Sequence, residues 1–133
     1  MEAAYGIRFL WQGERPRLPI LGDEDRLVQI LTNLLSNAAK YSDRGQAVEI
    51  RLALAAPWAR ASVLNRGPEI PSEFRERIFQ KFSQADASDT RLRGGTGLGL
   101  SISKALVERM GGRIQFESGP EATIFHVELP LLP

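Results

Sequence analysis

A chain of 133 residues, 43% hydrophobic and 25% charged, is long enough to bury a core and has the make-up of one globular domain. A formal net charge of +1 gives no electrostatic case for nucleic acid or an anionic membrane, and no apolar run approaches the roughly 18 residues of a membrane span. The absence of cysteine removes disulfides, thiolate metal sites and a cysteine nucleophile, and a single histidine rules out zinc clusters built from several.

In chain order, "YGIRFLW" (5–11) and "LPILG" (18–22) read as strands, the first a candidate edge. The segment "DEDRLVQILTNLLSNAAKYS" (23–42) predicts a helix. Leu27, Ile30, Leu31, Leu34, Leu35 and Ala38 keep the 3.6-residue period and the first turn is acidic. "AVEIRLALA" (47–55) and "ARASVLN" (59–65), separated by "APW", read as a hairpin. "PSEFRERIFQKF" (71–82) predicts a second helix, with Pro71 in its first position and Phe74, Ile78 and Phe82 on one face. "SQADASDTRLRGG" (83–95) is polar, without periodicity, and reads as a mobile loop. A third helix is expected over 100–110, stopped by Gly111 and Gly112. "GRIQFES" (112–118) and "ATIFHVELP" (122–130) supply a final strand pair, with His126 on the more polar side, the position of an ordinary strand histidine. The pattern predicts an α/β (α+β) fold: a mixed sheet with helices layered on one face.

Three segments carry possible chemistry. Gly95, Gly97 and Gly99 lead into the third helix, where bare backbone amides and the helix dipole suit a phosphate. Their spacing fits neither the dinucleotide fingerprint nor a P-loop, and a hinge or cap explains it nearly as well. Gln29, Asn33, Asn37 and Lys40 share one helix face. Amide oxygens are hard ligands for Mg²⁺ and a lysine can meet phosphate, although a solvated polar face is the plainer reading. In "SVLNRGPEIP" (62–71), Asn65 ends an apolar strand and can hydrogen-bond a base edge; locally, a simple turn explains it as well.

Order and spacing together identify a resemblance. The asparagine-bearing helix with "NLLSNAAKYS", the N-x-G-P-x-I-P turn, "FRERIFQKF", the polar loop and "GTGLGLSISKALVERMGG" resemble the catalytic and ATP-binding domain of a bacterial two-component sensor histidine kinase. That domain belongs to an ATPase superfamily shared with gyrase, a chaperone class and the mismatch-repair protein MutL. The resemblance covers about residues 18–130 of a single domain, 1–133. It implies a Bergerat-type sandwich holding ATP and Mg²⁺ between the long helix and the glycine-rich loop.

By the same resemblance Asn33 is the Mg²⁺ ligand and, with Gln29 one turn earlier, stands at the catalytic position. Asn37 and Lys40 meet the phosphates and Tyr41 lies near the nucleotide. Asn65 and Thr123 lie at the adenine, and Gly67, Ile70 and Phe82 are among the nucleotide-binding residues. Phe74, Ile78, Phe79 and Phe82 form the phenylalanine-rich box that anchors a lid over 83–95, expected to order when nucleotide binds. Gly95, Thr96, Gly97, Leu98, Gly99 and Leu100 bring backbone to the phosphates. The chain departs from the family pattern at Asn65, where Asp is commonest, at Glu69, where Gly is usual, and at Gln29, where an acid is frequent.

The resemblance further implies transfer of the γ-phosphoryl group to a histidine on a separate dimerisation domain, and a downstream response regulator as partner. Met1 is then expected to open a piece of a longer protein, monomeric by itself and cytoplasmic, within a parent that can be membrane-bound. No nucleic-acid partner is expected. The alternative is a nucleotide-binding regulatory module that has lost transfer, motivated by Asn65, Glu69 and Gln29. An ATPase of the gyrase or chaperone branch is disfavoured by "RIFQKFSQ" (77–84).

Overall fold

The computed structural model describes residues 8–13, 18–20, 23–80 and 99–132. Five strands form one sheet: β1 (Arg8–Trp11), β2 (Ala47–Ala55), β3 (Trp58–Asn65), β4 (Arg113–Ser118) and β5 (Thr123–Pro130), in spatial order β1-β2-β3-β5-β4. β1 runs parallel to β2 at one edge, and every other pairing is antiparallel. The helices are α1 (Glu24–Tyr41), α2 (Ser72–Arg75) and α3 (Gly99–Arg109).

α1 forms where its periodicity and charges agree. The Asp23 carboxylate caps it, accepting from the backbone of Asp25 at 2.9 Å and Arg26 at 3.4 Å. Glu24 and Asp25 open the helix and Lys40 closes it, each on the favourable end of the dipole. At the far end the Ser42 hydroxyl donates to the Ala38 carbonyl at 2.7 Å. Ile30, Leu34 and Ala38 form a buried ridge, joined by Ala39. Leu106 and Val107 of α3 meet this ridge over Val48, Val63, Ile114, Phe125, Val127 and Leu129 of the sheet. The strand register puts these sheet residues on one face, so the helices layer on that face as the pattern predicts.

Three expectations about elements are corrected. The described part of "LPILG" makes only a single bridge, Ile20 to Leu131, and is no strand. The hairpin loop is shorter than "APW", because Trp58 already pairs with Ala55. Among the described residues of the helix expected over 71–82, which end at 80, the winding is regular only over Ser72–Arg75, and Pro71 is its N-cap rather than its first residue. After Arg75 the backbone winds with three-residue closures, Arg77 N–H to Phe74 and Gln80 N–H to Arg77, both at 3.0 Å. This tighter winding accompanies the packing of adjacent Ile78 and Phe79 on the core, leaving Phe74 outside it.

α3 stops as expected. Gly111 takes φ +80°, a conformation costly for other residues, and the Gly111 and Gly112 N–H groups bond Glu108 and Val107 carbonyls at 3.0 Å.

The opposite sheet face holds a feature that the periodicity concealed. Glu128, 1% exposed, receives Arg60 Nε and Nη2 at 3.1 and 2.8 Å and Arg113 Nε at 2.7 Å. Trp58 stacks on the Arg113 guanidinium at 4.9 Å. Burial alone would raise the Glu128 pKa. The hydrogen bonds and charges of Arg60 and Arg113 outweigh it and hold the carboxyl below the usual glutamate range.

Candidate functional site

On α1, Gln29 is exposed, whereas Asn33, Asn37, Lys40 and Tyr41 are half-buried along the flank of the apolar ridge. Asn33 Nδ2 donates to the Gly99 carbonyl at 3.4 Å, across 66 residues of sequence. This bond joins the polar stripe of α1 to the first residue of α3, where helix-start N–H groups have no partner inside the helix. That bond uses the Asn33 amide nitrogen, and the chemistry left to Oδ1 is that of an acceptor. Leu100, next along α3, packs on the core. Phe82, the lid residues 83–95 and Gly95, Thr96, Gly97 and Leu98 lie outside the described residues. Lys40 Nζ sits 5.3 Å from the centre of the Tyr41 ring.

The end of α1 touches the turn after β3. A Cβ at Gly67 would collide with the Tyr41 carbonyl oxygen and crowd Ser42 Cα at 3.4 Å. Only glycine lets the two backbones approach so closely. The neighbouring Asp43 N–H donates to the Arg66 carbonyl at 2.8 Å, fixing the same contact.

Asn65 and Thr123 face each other across β3 and β5, with 3% and 4% of their surfaces exposed. Thr123 Oγ1 lies 2.7 Å from Ser118 Oγ, which also accepts the Ile70 N–H at 2.9 Å. Arg75 closes the arrangement. Its Nη2 donates to the Ser118 carbonyl at 2.9 Å and to Glu69 Oε2 at 2.6 Å, and its Nε to the Ile70 carbonyl at 3.3 Å. Glu69 is therefore one side of an ion pair that ties the turn to α2. Sequence reasoning missed both Arg75 and Ser118. Their partners are five to 48 residues away and obey no helical or strand spacing.

The phenylalanine-rich segment is brought together only in part. Phe79 meets Phe116 and Phe125 edge-on at 5.9 and 6.1 Å, and those two rings stack at 5.6 Å. Lys104 Nζ lies 5.6 Å from the Phe79 ring. Phe74 is covered by the Arg77 guanidinium at 4.9 Å instead.

His126 lies away from this site. Its Nδ1 is 2.7 Å from Ser62 Oγ and its Nε2 is 3.8 Å from Glu117, on the sheet face opposite the helices. Among the described residues no group of three or more His, Cys, Asp or Glu is placed to hold a metal, so any cation here depends on amide oxygens and on what its ligand supplies. Among those residues no helix is long and apolar enough to cross a membrane.

Residues 22–133 match the family model described as histidine kinase-, DNA gyrase B- and HSP90-like ATPase. Sensor histidine kinase AruS of Pseudomonas aeruginosa is 49% identical over 118 residues, covering 83% of this chain and 12% of AruS. Probable sensor histidine kinase TcrY of Mycobacterium tuberculosis is 38% identical, over 91% of this chain and 26% of TcrY. The chain thus spans about an eighth of AruS and about a quarter of TcrY. The catalytic domain of histidine kinase ThkA superposes with a TM-score of 0.80 at 32% identity, covering 97% of this chain and 83% of that one. Full-length ShkA, solved in complex with AMPPNP, superposes with a TM-score of 0.78 at 35% identity over 96% of this chain and 26% of ShkA.

Proposed function

The chain belongs to the histidine kinase-, DNA gyrase B- and HSP90-like ATPase family, in its branch of histidine kinase catalytic domains, and from that premise we propose that it binds Mg-ATP and passes the γ-phosphoryl group to a histidine of a separate dimerisation domain. The observation that carries the proposal is the Asn33–Gly99 hydrogen bond. It brings the amide-and-lysine stripe of α1 beside the glycine-led start of α3. The AMPPNP bound by the similar ShkA supports the choice of nucleotide.

In this reading the triphosphate lies between α1 and the start of α3, against Asn37, Lys40 and the backbone of residues 95–100, with Tyr41 beside the nucleotide. The base lies at Asn65, Gly67, Ile70 and Thr123. Asn33 holds Mg²⁺ through Oδ1. The donor set fits this ion, since Mg²⁺ takes few protein ligands and completes its shell with phosphate oxygens and water. Bound there, the ion neutralises phosphate charge. Gln29 offers a hydrogen bond but no strong base, which phosphoryl transfer tolerates because it rests mainly on positioning and charge. The acceptor imidazole nitrogen forms the new bond to phosphorus while the bond to the ADP oxygen breaks. The chain acts as one monomeric ATP-binding unit on the cytoplasmic side, and the phosphoryl group moves on to a response regulator.

The test supplies the dimerisation domain of the parent kinase with radiolabelled ATP and this chain. Acid-labile, base-stable label on that domain, lost with Asn33→Ala, is the expected result. Nucleotide binding without label under any metal condition would instead favour the regulatory module suggested by Gln29.

A further inference from the structure

The proposed base site contains a side-chain amide that no described residue hydrogen-bonds. Asn65 is 3% exposed and its backbone is locked in the ladder opposite Thr123. Yet its side-chain amide makes no hydrogen bond to any described residue. The groups around it are committed elsewhere: the Thr123 hydroxyl to Ser118, the Ile70 N–H to Ser118, and Arg75 to Glu69, Ile70 and Ser118. Ser103 Oγ is the one fully enclosed side-chain polar atom without a partner among the described residues, so the Asn65 amide, also unpartnered, opens onto accessible space. The hydroxyl opposite it is thus committed to Ser118, and no described residue fixes the Asn65 amide in one orientation by a hydrogen bond.

We infer that Asn65 lets this site accept 6-oxo purine nucleotides, inosine triphosphate among them, as well as ATP. The inference rests on the reading that the base of ATP meets Asn65. An ionised carboxylate only accepts hydrogen bonds, so at this place it takes the 6-amino group of adenine and repels a 6-oxo group. Asparagine both donates and accepts. In one orientation Oδ1 receives the adenine 6-amino hydrogen. Turned by half a revolution, Nδ2 donates to the 6-oxo oxygen. Each orientation makes one hydrogen bond to position 6, and the turn breaks none to a described residue.

Calorimetric titration of the chain with ATP and with inosine triphosphate, each with Mg²⁺, tests this directly, for the native protein and Asn65→Asp. The native protein is expected to bind the two within about tenfold of each other, the span of one hydrogen bond's difference. Asn65→Asp is expected to bind inosine triphosphate more weakly than ATP by upwards of about 100-fold, because an acceptor would face an acceptor. Native binding of ATP with rejection of inosine triphosphate by that larger factor overturns the inference while leaving the ATP reading intact. Equal selectivity in native and Asn65→Asp overturns it too, because the discrimination would then lie elsewhere. If neither nucleotide binds the native protein, the ATP reading falls and this inference with it. Should the Asp variant fail to fold, the native ratio still decides.

Discussion

Removing Arg60 and Arg113 together is expected to harm the fold more than removing the carboxylate they share. Glu128 is 1% exposed, whereas the two arginine side chains are 39% and 50% exposed. With Glu128→Gln the arginines can recover water, so the loss is that of charge-assisted hydrogen bonds, about 1.5–3 kcal/mol. With Arg60→Ala and Arg113→Ala together, a buried carboxylate keeps its desolvation and loses its compensation, costing about 3–5 kcal/mol at neutral pH. Adding Glu128→Gln to that pair should return part of the loss, because the uncompensated charge is gone.

The pH dependence gives a second handle. In the native protein the Glu128 pKa is lowered, so its contribution is present above the unfolded value near 4.5 and fades as pH falls through the folded value beneath it. Without the arginines, burial raises the pKa and protonation relieves the fold. The stability gap between the native and double-arginine proteins should therefore narrow as the solution is made acid. Urea unfolding, followed by circular dichroism at neutral and acid pH, reads both effects. Equal stability of the double-arginine and native proteins at neutral pH, or no recovery from the added Glu128→Gln, would refute the reasoning.

Other substitutions probe the frame of the site. Gly67→Ala places a Cβ against the Tyr41 carbonyl, and the forced backbone shift should cost about 1–3 kcal/mol in urea unfolding and weaken nucleotide binding. Phe79→Ala removes a half-buried ring from two edge-on contacts and should cost about 2–3 kcal/mol by thermal melting, less than a fully buried phenylalanine. Asp23→Ala deletes the cap of α1 and should cost about 1 kcal/mol, with nucleotide affinity unchanged because the cap lies at the far end of the helix from Tyr41.

Where local signals and tertiary contacts agree, the elements were legible. Asp23, the acidic first turn and the Ile30–Leu34–Ala38 spacing already describe α1, and Gly111 with Gly112 marks the end of α3. The second helix was overextended because Phe74, Ile78 and Phe82 do recur at four-residue intervals. What competes with that period is the packing of Phe79 edge-on against Phe116 and Phe125, stacked rings from two strands far along the chain. Glu128 stood on the polar side of an alternating strand, and nothing local signals burial there. Arg60, 68 residues away, and Arg113, 15 away, cover it only after the sheet has formed. The asparagines of α1 and the glycines before α3 were visible as residue types. The contact between Asn33 and Gly99, like the Arg75 clamp on the turn after β3, exists only in the fold.

The measurement that bears most directly on the account is calorimetric titration with a non-hydrolysable ATP analogue and Mg²⁺, comparing the native protein with Asn37→Ala. Asn37 is half-buried on the α1 stripe, one turn beyond Asn33. Saturable binding by the native protein that is lost in a folded Asn37→Ala is the predicted result. No binding by the native protein, or unchanged binding by the variant, would contradict a nucleotide site between α1 and α3.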